Sequence, residues 1–174
     1  MLFRSEEFLK KNLINKSDFL VAINPGGNWH LKRWPKEYWA FLSDRLISQL
    51  GAKVIITGSA SDIKLARDIQ GLMKEKAVIS AGMFNLKQLG ALCKRADLFI
   101  TADTGPAHIA NAAGAKKIIA LFGPTSPRVT GPYPLKNVVI LQKQIGCQIP
   151  CYNTKCKDNR CMRAISVEEV LGRI

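Results

Sequence analysis

Three loops of this chain gather the residue types that bind anions and sugar hydroxyls. The first is Asn24-Pro25-Gly26-Gly27-Asn28-Trp29-His30-Leu31-Lys32-Arg33-Trp34-Pro35. Gly26 and Gly27 let backbone N–H groups approach a ligand without Cβ interference. Lys32 and Arg33 bring positive charge just ahead of a helix N-terminus, itself favourable to anions. An ordinary βα turn with a solvated Lys-Arg pair reads the same way. The second loop is Thr57-Gly58-Ser59-Ala60-Ser61-Asp62. A carboxylate at Asp62 suits ribose hydroxyls or a base amine, and equally suits the dipole of a helix's first turn.

The third loop, Ala102-Asp103-Thr104-Gly105-Pro106-Ala107-His108, is the most informative. It ends an apolar run at Asp103 and opens a helix of small residues. Helical side chains lean toward the N-terminus, so His108 points back at the loop mouth. Asp103, Thr104, the Gly105 N–H and His108 then converge where free amides and the dipole would hold a diphosphate. A capping Asp or Thr beside a satisfied histidine is the competing reading. After the next apolar run, Thr125 and Arg128 are placed to line the same crevice, in a loop whose prolines and glycines also suit a plain rigid turn.

Four cysteines, Cys147, Cys151, Cys156 and Cys161, fall in C-x3-C-x4-C-x4-C spacing. Zinc knuckles use tighter C-x2-C pairs and no histidine lies near, so unreactive thiols are expected ahead of a metal or cluster. Cys93 reads as core. A Walker loop, a GxSxG elbow and an HExxH pair are all missing, which argues against P-loop hydrolysis, α/β-hydrolase chemistry and zinc proteolysis.

The elements that must position these loops alternate. Strands read at Phe19–Asn24, Lys53–Thr57, Ala77–Ser80, Leu98–Ala102, Lys117–Phe122 and Val138–Leu141, near-continuously apolar as strands buried on both faces are. Between them, Pro35–Leu50 places Trp39, Leu42, Leu46 and Leu50 at helical spacing, and Ser61–Lys74 repeats this with Ile63, Ala66, Ile69 and Met73. Leu86–Arg95 and Pro106–Ala113 are shorter helices, and Ser166-Val167-Glu168-Glu169 is a capping box opening a last one. The alternation predicts an α/β fold, a Rossmann-like doubly wound parallel sheet over residues 19–174. Residues 1–18, with Phe8, Leu9 and Leu13 among lysines, read as a lead-in helix or linker.

The chain has 174 residues, with 26 Lys and Arg against 13 Asp and Glu for a net charge of +13, and is 47% hydrophobic. That composition excludes a disordered tail and fits one packed domain. No acid lies between Asp103 and Asp158, so the partners of that stretch are expected to be anionic. No run nears the ~20 apolar residues of a membrane span. The opening Met1-Leu2-Phe3-Arg4-Ser5-Glu6-Glu7 has two acids and no apolar h-region, so no signal peptide and a cytoplasmic location are expected.

Together, Asn24-Pro25-Gly26 with Lys32-Arg33-Trp34-Pro35, Thr57-Gly58-Ser59, Asp103-Thr104-Gly105-Pro106-Ala107-His108 and Leu121-Phe122-Gly123-Pro124-Thr125 resemble the heptosyltransferase family, glycosyltransferases of family 9 that build the lipopolysaccharide inner core. The resemblance runs over about residues 20–174 and takes in the C-terminal cysteines. It implies the C-terminal, donor-binding half of a GT-B glycosyltransferase, with the N-terminal acceptor domain and its carboxylate base absent. By the same resemblance, Lys32 contacts donor phosphate or sugar and Asp62 the ribose, although many members carry Glu there. Asp103 holds donor-sugar hydroxyls, and Thr104, Gly105 and His108 bind the diphosphate, with Gly26 and Gly27 beside them. Met83 lies near where the adenine would sit, or in the core.

The implied reaction is inverting transfer of heptose from ADP-heptose, a donor substrate, with no cofactor and no metal. This half alone is expected to be inactive. Its partners would be the nucleotide sugar, a lipopolysaccharide precursor or anionic membrane surface at the cytoplasmic face of the inner membrane, and the missing domain, with no nucleic acid. The alternatives are another GT-B enzyme using UDP- or GDP-sugars, an epimerase, or a basic nucleic-acid-binding module.

Overall fold

The computed structural model describes residues 3–153 and 155–174; Met1 and Leu2 of the expected lead-in segment lie outside them. Six parallel strands form one sheet in the order β3-β2-β1-β4-β5-β6. They are β1 (Leu20–Asn24), β2 (Lys53–Ile56), β3 (Val78–Ile79), β4 (Leu98–Ala102), β5 (Ile118–Phe122) and β6 (Val138–Gln142). The order reverses between β1 and β4, where Ile23 pairs with Ile100 and Asn24 with Thr101. Parallel strands need long crossovers, and the helices that supply them cover both faces.

On one face lie α2 (Lys36–Leu50), α3 (Ile63–Leu72), α7 (Arg160–Arg163) and α8 (Val167–Leu171), packing Trp39, Leu42, Leu46, Ala66, Ile69 and Val170 against Val21 and Ile23. On the other lie α1 (Phe3–Lys11), α4 (Leu86–Arg95) and α5 (Gly105–Ala112), packing Phe8, Leu9, Leu92, Cys93 and Ala110 against Leu20, Ala22 and Phe99. Alternate residues of β1 thus feed two cores, and each fully buried Leu, Ile or Val contributes about 1.5–3 kcal/mol. Cys93 is buried as expected, and that burial pushes its thiol up to about 12. A short α6 (Pro127–Thr130) follows β5.

Element ends differ from the sequence reading in ways that have local causes. The helix expected from Ser61 begins at Ile63, because Ser59 and Asp62 close a capping box around a 3-10 turn. The strand expected over Ala77–Ser80 shrinks to two residues at the sheet edge, the two that pair with Ile55 and Ile56. Leu50 ends α2 half-exposed, next to Gly51 in the left-handed region (φ 64).

Leu13 is the unusual terminus. The Ile14 N–H donates to Leu9 C=O (2.9 Å) and the Leu13 N–H to Lys10 C=O (3.0 Å), the Schellman pattern that closes a helix. Ile14 tucks in beside Leu9, whereas Leu13 takes φ 56 and stands 80% exposed. A Cβ in that region costs about 1 kcal/mol. Leu13→Gly is therefore expected to raise unfolding free energy by about 0.5–1 kcal/mol, net of glycine's extra freedom when unfolded. Urea denaturation reads this, and a fall in the midpoint would contradict it.

Two carboxylates tie the fold to pH. Burial works to raise Asp97, but the hydrogen bond from Lys116 (2.7 Å), the Leu20 N–H (2.8 Å) and the Lys116 and Arg95 charges outweigh it and hold it below its ordinary value. Glu169 is held low by its hydrogen bond with Lys143 and by the Ser166 N–H. Both are depressed in the folded state. Their stabilisation is thus complete above their ordinary values of 3.8 and 4.5 and is lost as pH falls through the lower, folded ones. Urea midpoints should hold level down to about pH 5 and fall below it. Asp97→Asn should make that fall shallower.

Candidate functional site

A cleft of about 750 Å³ opens at the carboxyl ends of the strands, at the β1/β4 reversal. Gly26, Gly27, Lys32, Asp62, Asp103, Thr104, Gly105 and His108 all line it, so these eight share one cavity.

Its first wall is the loop after β1. Leu31 is buried, and Trp34 is buried with its indole N–H donating to Ile165 C=O (2.9 Å) and its ring edge-on to Trp39. Between these two anchors Lys32 has little freedom to leave the cleft. Its Nζ lies 2.7 Å from Asp103 Oδ2. Arg33 donates twice to Gly27 C=O (2.9 and 2.6 Å), so its guanidinium is spent on closing the glycine loop.

Asp103 is 4% exposed. One of its oxygens, Oδ2, accepts from Lys32, from Thr125 Oγ (2.6 Å) and from Thr130 Oγ (3.1 Å). Oδ1 has no hydrogen-bond donor among the described residues, yet the side chain lines the cleft. A carboxylate so held is fixed on one side and free to accept a ligand hydroxyl on the other.

Thr104 sits at the N-cap of α5 but does not cap it. Its hydroxyl turns instead to Thr101 Oγ (3.2 Å), Asn24 Nδ2 (3.4 Å) and Ala102 C=O. Thr57 Oγ donates to Asn24 Oδ1 (3.1 Å), completing a polar bridge across the sheet reversal. The helix end therefore faces the cleft without a side-chain cap, and nothing crowds the position where Gly105 lacks a Cβ. Backbone donors and the dipole make such an end an anion seat. His108 is exposed on the same rim, as its lean predicts.

Asp62 is both a cap and part of the cleft wall. Its Oδ2 accepts from the Ser59 N–H (2.9 Å) and hydroxyl (2.6 Å) as a cap, and the residue also lines the cleft. A Cβ on Gly26 would fall 2.6 Å from its carboxyl carbon, and one on Gly58 2.7 Å from its Cβ. Both glycines exist to admit it.

Several placements differ from the sequence reading. Arg128 is exposed and outside the lining, and Thr125 is buried beneath Asp103 rather than on the cleft surface. Met83 is half-exposed and outside the lining, so it belongs neither to the core nor to the wall. The wall there is Phe84, Leu86 and Leu89, an apolar patch across from the polar groups that suits a flat heteroaromatic ring. Sequence reasoning missed these three, although Phe84 lies in the loop between β3 and α4. Thr130 was missed too. The four C-terminal cysteines carry no disulfide, and burial pushes the Cys161 thiol up. Among the described residues no three His, Cys, Asp or Glu side chains converge as a metal-ligating group.

A doubly wound sheet with glycine loops, an uncapped helix end and an anchored carboxylate at its switch point defines a Rossmann-like domain whose cleft suits an anionic ligand. Comparison with known proteins narrows this. The family pattern "Glycosyltransferase family 9 (heptosyltransferase)" matches residues 4–161, and the chain belongs to that family. It is 28% identical over 174 residues to lipooligosaccharide heptosyltransferase 2 of Campylobacter jejuni, covering 97% of this chain and 54% of that protein. A crystal structure of a family 9 glycosyltransferase from Veillonella parvula superposes with TM-score 0.87 at 29% identity, covering 98% of this chain and 49% of the other. The Escherichia coli heptosyltransferase WaaC, solved with ADP, shares the fold with TM-score 0.72 at 19% identity, covering 97% of this chain and 47% of its own. The chain thus spans about half the length of the relatives it matches.

Proposed function

We propose that this chain is the donor-binding half of an inverting heptosyltransferase acting on the lipopolysaccharide inner core. The observation that carries the reading is Asp103, pinned by three donors on one oxygen and open to the cleft on the other, beside the uncapped end of α5. ADP-heptose would lay its base on Phe84, Leu86 and Leu89 and its ribose near Asp62. Its diphosphate would meet the Thr104 and Gly105 amides, His108 and Lys32, and its sugar hydroxyls Asp103 Oδ1.

In transfer, an acceptor hydroxyl attacks the anomeric carbon, the bond to the diphosphate oxygen breaks, and ADP leaves with the electron pair. Charge then develops on the diphosphate, where Lys32, His108 and the helix end lower its energy. The hydroxyl's proton goes to a base supplied by the other domain. No resident cofactor is proposed, because the side chains already facing the cleft supply this charge. The acceptor would be a lipopolysaccharide precursor at the cytoplasmic face of the inner membrane, and this half alone would not turn over.

Isothermal titration with ADP, UDP and GDP tests the reading. ADP is expected to bind at least several-fold tighter than the others. Equal binding of all three, or none, would sink it. No metal is assigned to the four C-terminal cysteines, and a stoichiometric metal in protein purified under reducing conditions would overturn that assignment.

A further inference from the structure

We propose that Gln142, at the end of β6, controls the cleft's hold on the donor sugar, as distinct from the nucleotide, by fixing the loop that pins Asp103. The proposal rests on the reading of Asp103 as acceptor of donor-sugar hydroxyls. Gln142 touches no ligand in this account and is a positioning residue.

Beyond β5 the chain leaves the sheet through Gly123, Pro124 and Thr125 before α6 begins. Three peptide carbonyls in a row would otherwise end the strand without partners. The neighbouring strand satisfies the first and third. Gln142 pairs in register with Phe122, and its Nε2 donates to Gly123 C=O (3.2 Å) and Thr125 C=O (2.7 Å). Two carbonyl partners fix the orientation of the amide, because only its nitrogen end donates. Pro124 C=O, between them, accepts the Cys151 N–H (2.7 Å). The cysteine-bearing segment thus has a task that uses its backbone and no thiol. It also closes the loop from behind. A Cβ on Gly123 would fall 2.6 Å from Met162 Sδ and 3.1 Å from Cys161 Sγ, and Met162 is fully buried.

This loop carries the Thr125 hydroxyl, 2.6 Å from Asp103 Oδ2 and the shortest of the three contacts there. Thr125 is buried, and among the described residues its hydroxyl donates to Asp103 alone. A diphosphate in the cleft would draw on Lys32, leaving Thr125 as the short donor that fixes the carboxyl plane. Hydrogen bonds weaken steeply with misalignment, so a loosened Thr125 misdirects Asp103 Oδ1 at the sugar. The end of α5, His108, Lys32 and Phe84, which would meet the diphosphate and base, share no hydrogen bond with Gln142. The two ends of the donor should therefore respond differently when Gln142 is changed.

Isothermal titration of the 174-residue chain with ADP and with ADP-heptose tests this, and the quantity read is the ratio of the two affinities. Gln142→Met keeps the side chain's length and cannot donate. It should leave ADP affinity within about twofold and lower the ratio by about three- to tenfold, toward sugar-independent binding. Thr125→Val should lower the ratio too, and adding Gln142→Met to it should cost nothing more, because the connection is already cut. Losses that simply add would overturn the proposal, as would an equal fall in both affinities, the mark of a merely structural role. Asp103→Asn separates the two levels of the account. If it lowers the ratio while Gln142→Met does not, the proposal falls and the reading of Asp103 stands. If Asp103→Asn leaves the ratio unchanged, that reading fails and the proposal with it.

Discussion

Lys32→Ala is expected to weaken ADP binding by about 10- to 100-fold, the loss of one charge-assisted contact worth about 1.5–3 kcal/mol. The size follows from two effects of the same sign. The diphosphate loses a cation that Leu31 and Trp34 hold in place, and the Asp103 carboxylate loses the charge that offsets its repulsion of an anion. The fold should suffer less. Asp103 keeps the Thr125 and Thr130 hydroxyls, and the Lys32 side chain is 18% exposed, so the cost should sit near the lower end of 1–3 kcal/mol. Lys32→Arg keeps the charge on a broader head and should fall between wild type and Ala. Titration calorimetry alongside urea denaturation separates the two effects. A variant that binds ADP as wild type does would remove Lys32 from the site.

Gly26→Ala should be the second large change, for a steric reason. The added methyl meets Asp62 at 2.6 Å on both its carboxyl carbon and Oδ1. A flexible side chain would swing away, but Asp62 is pinned by two hydrogen bonds from Ser59 and flanked on its other side by Gly58. Yielding breaks the cap, worth about 1 kcal/mol, and drives the carboxylate into the cleft. Not yielding moves the loop that carries Lys32. Stability is expected to drop by about 1–3 kcal/mol and ADP affinity by about tenfold. The double variant Gly26→Ala/Asp62→Ala should recover most of the stability, because the partner of the clash is gone. If the two substitutions simply add, the crowding explanation is wrong. Thermal melts and titration read both quantities.

How far the fold could be read in advance depended on burial. β4 and β5 are buried at every residue, so their apolar runs stand out, and Leu98–Ala102 is found as expected. β3 is half-buried and two residues long, held by register with β2 rather than by its own pattern. α6 and α7 have four residues each, too few for any periodicity to appear. Leu13 reads as one more apolar residue beside Phe8 and Leu9, yet helix termination turns it out and sends Ile14 inward.

The cleft divides in the same way. Its polar side was legible because glycines, a helix start and charged residues cluster in short contiguous loops. Its apolar side was not, since Phe84, Leu86 and Leu89 look like any other hydrophobics until the chain folds. Thr125, just before α6, and Thr130, at its end, reach Asp103 along a path that no local signal fixes.

The most direct measurement of whether this cleft seats a nucleotide diphosphate is an amide NMR titration of the chain with ADP. Saturable shifts are expected at Gly26, Gly27, Thr104, Gly105 and His108, and their loss in Lys32→Ala at the same ADP concentration. Shifts confined to α1 and α4, or none that saturate, would contradict it.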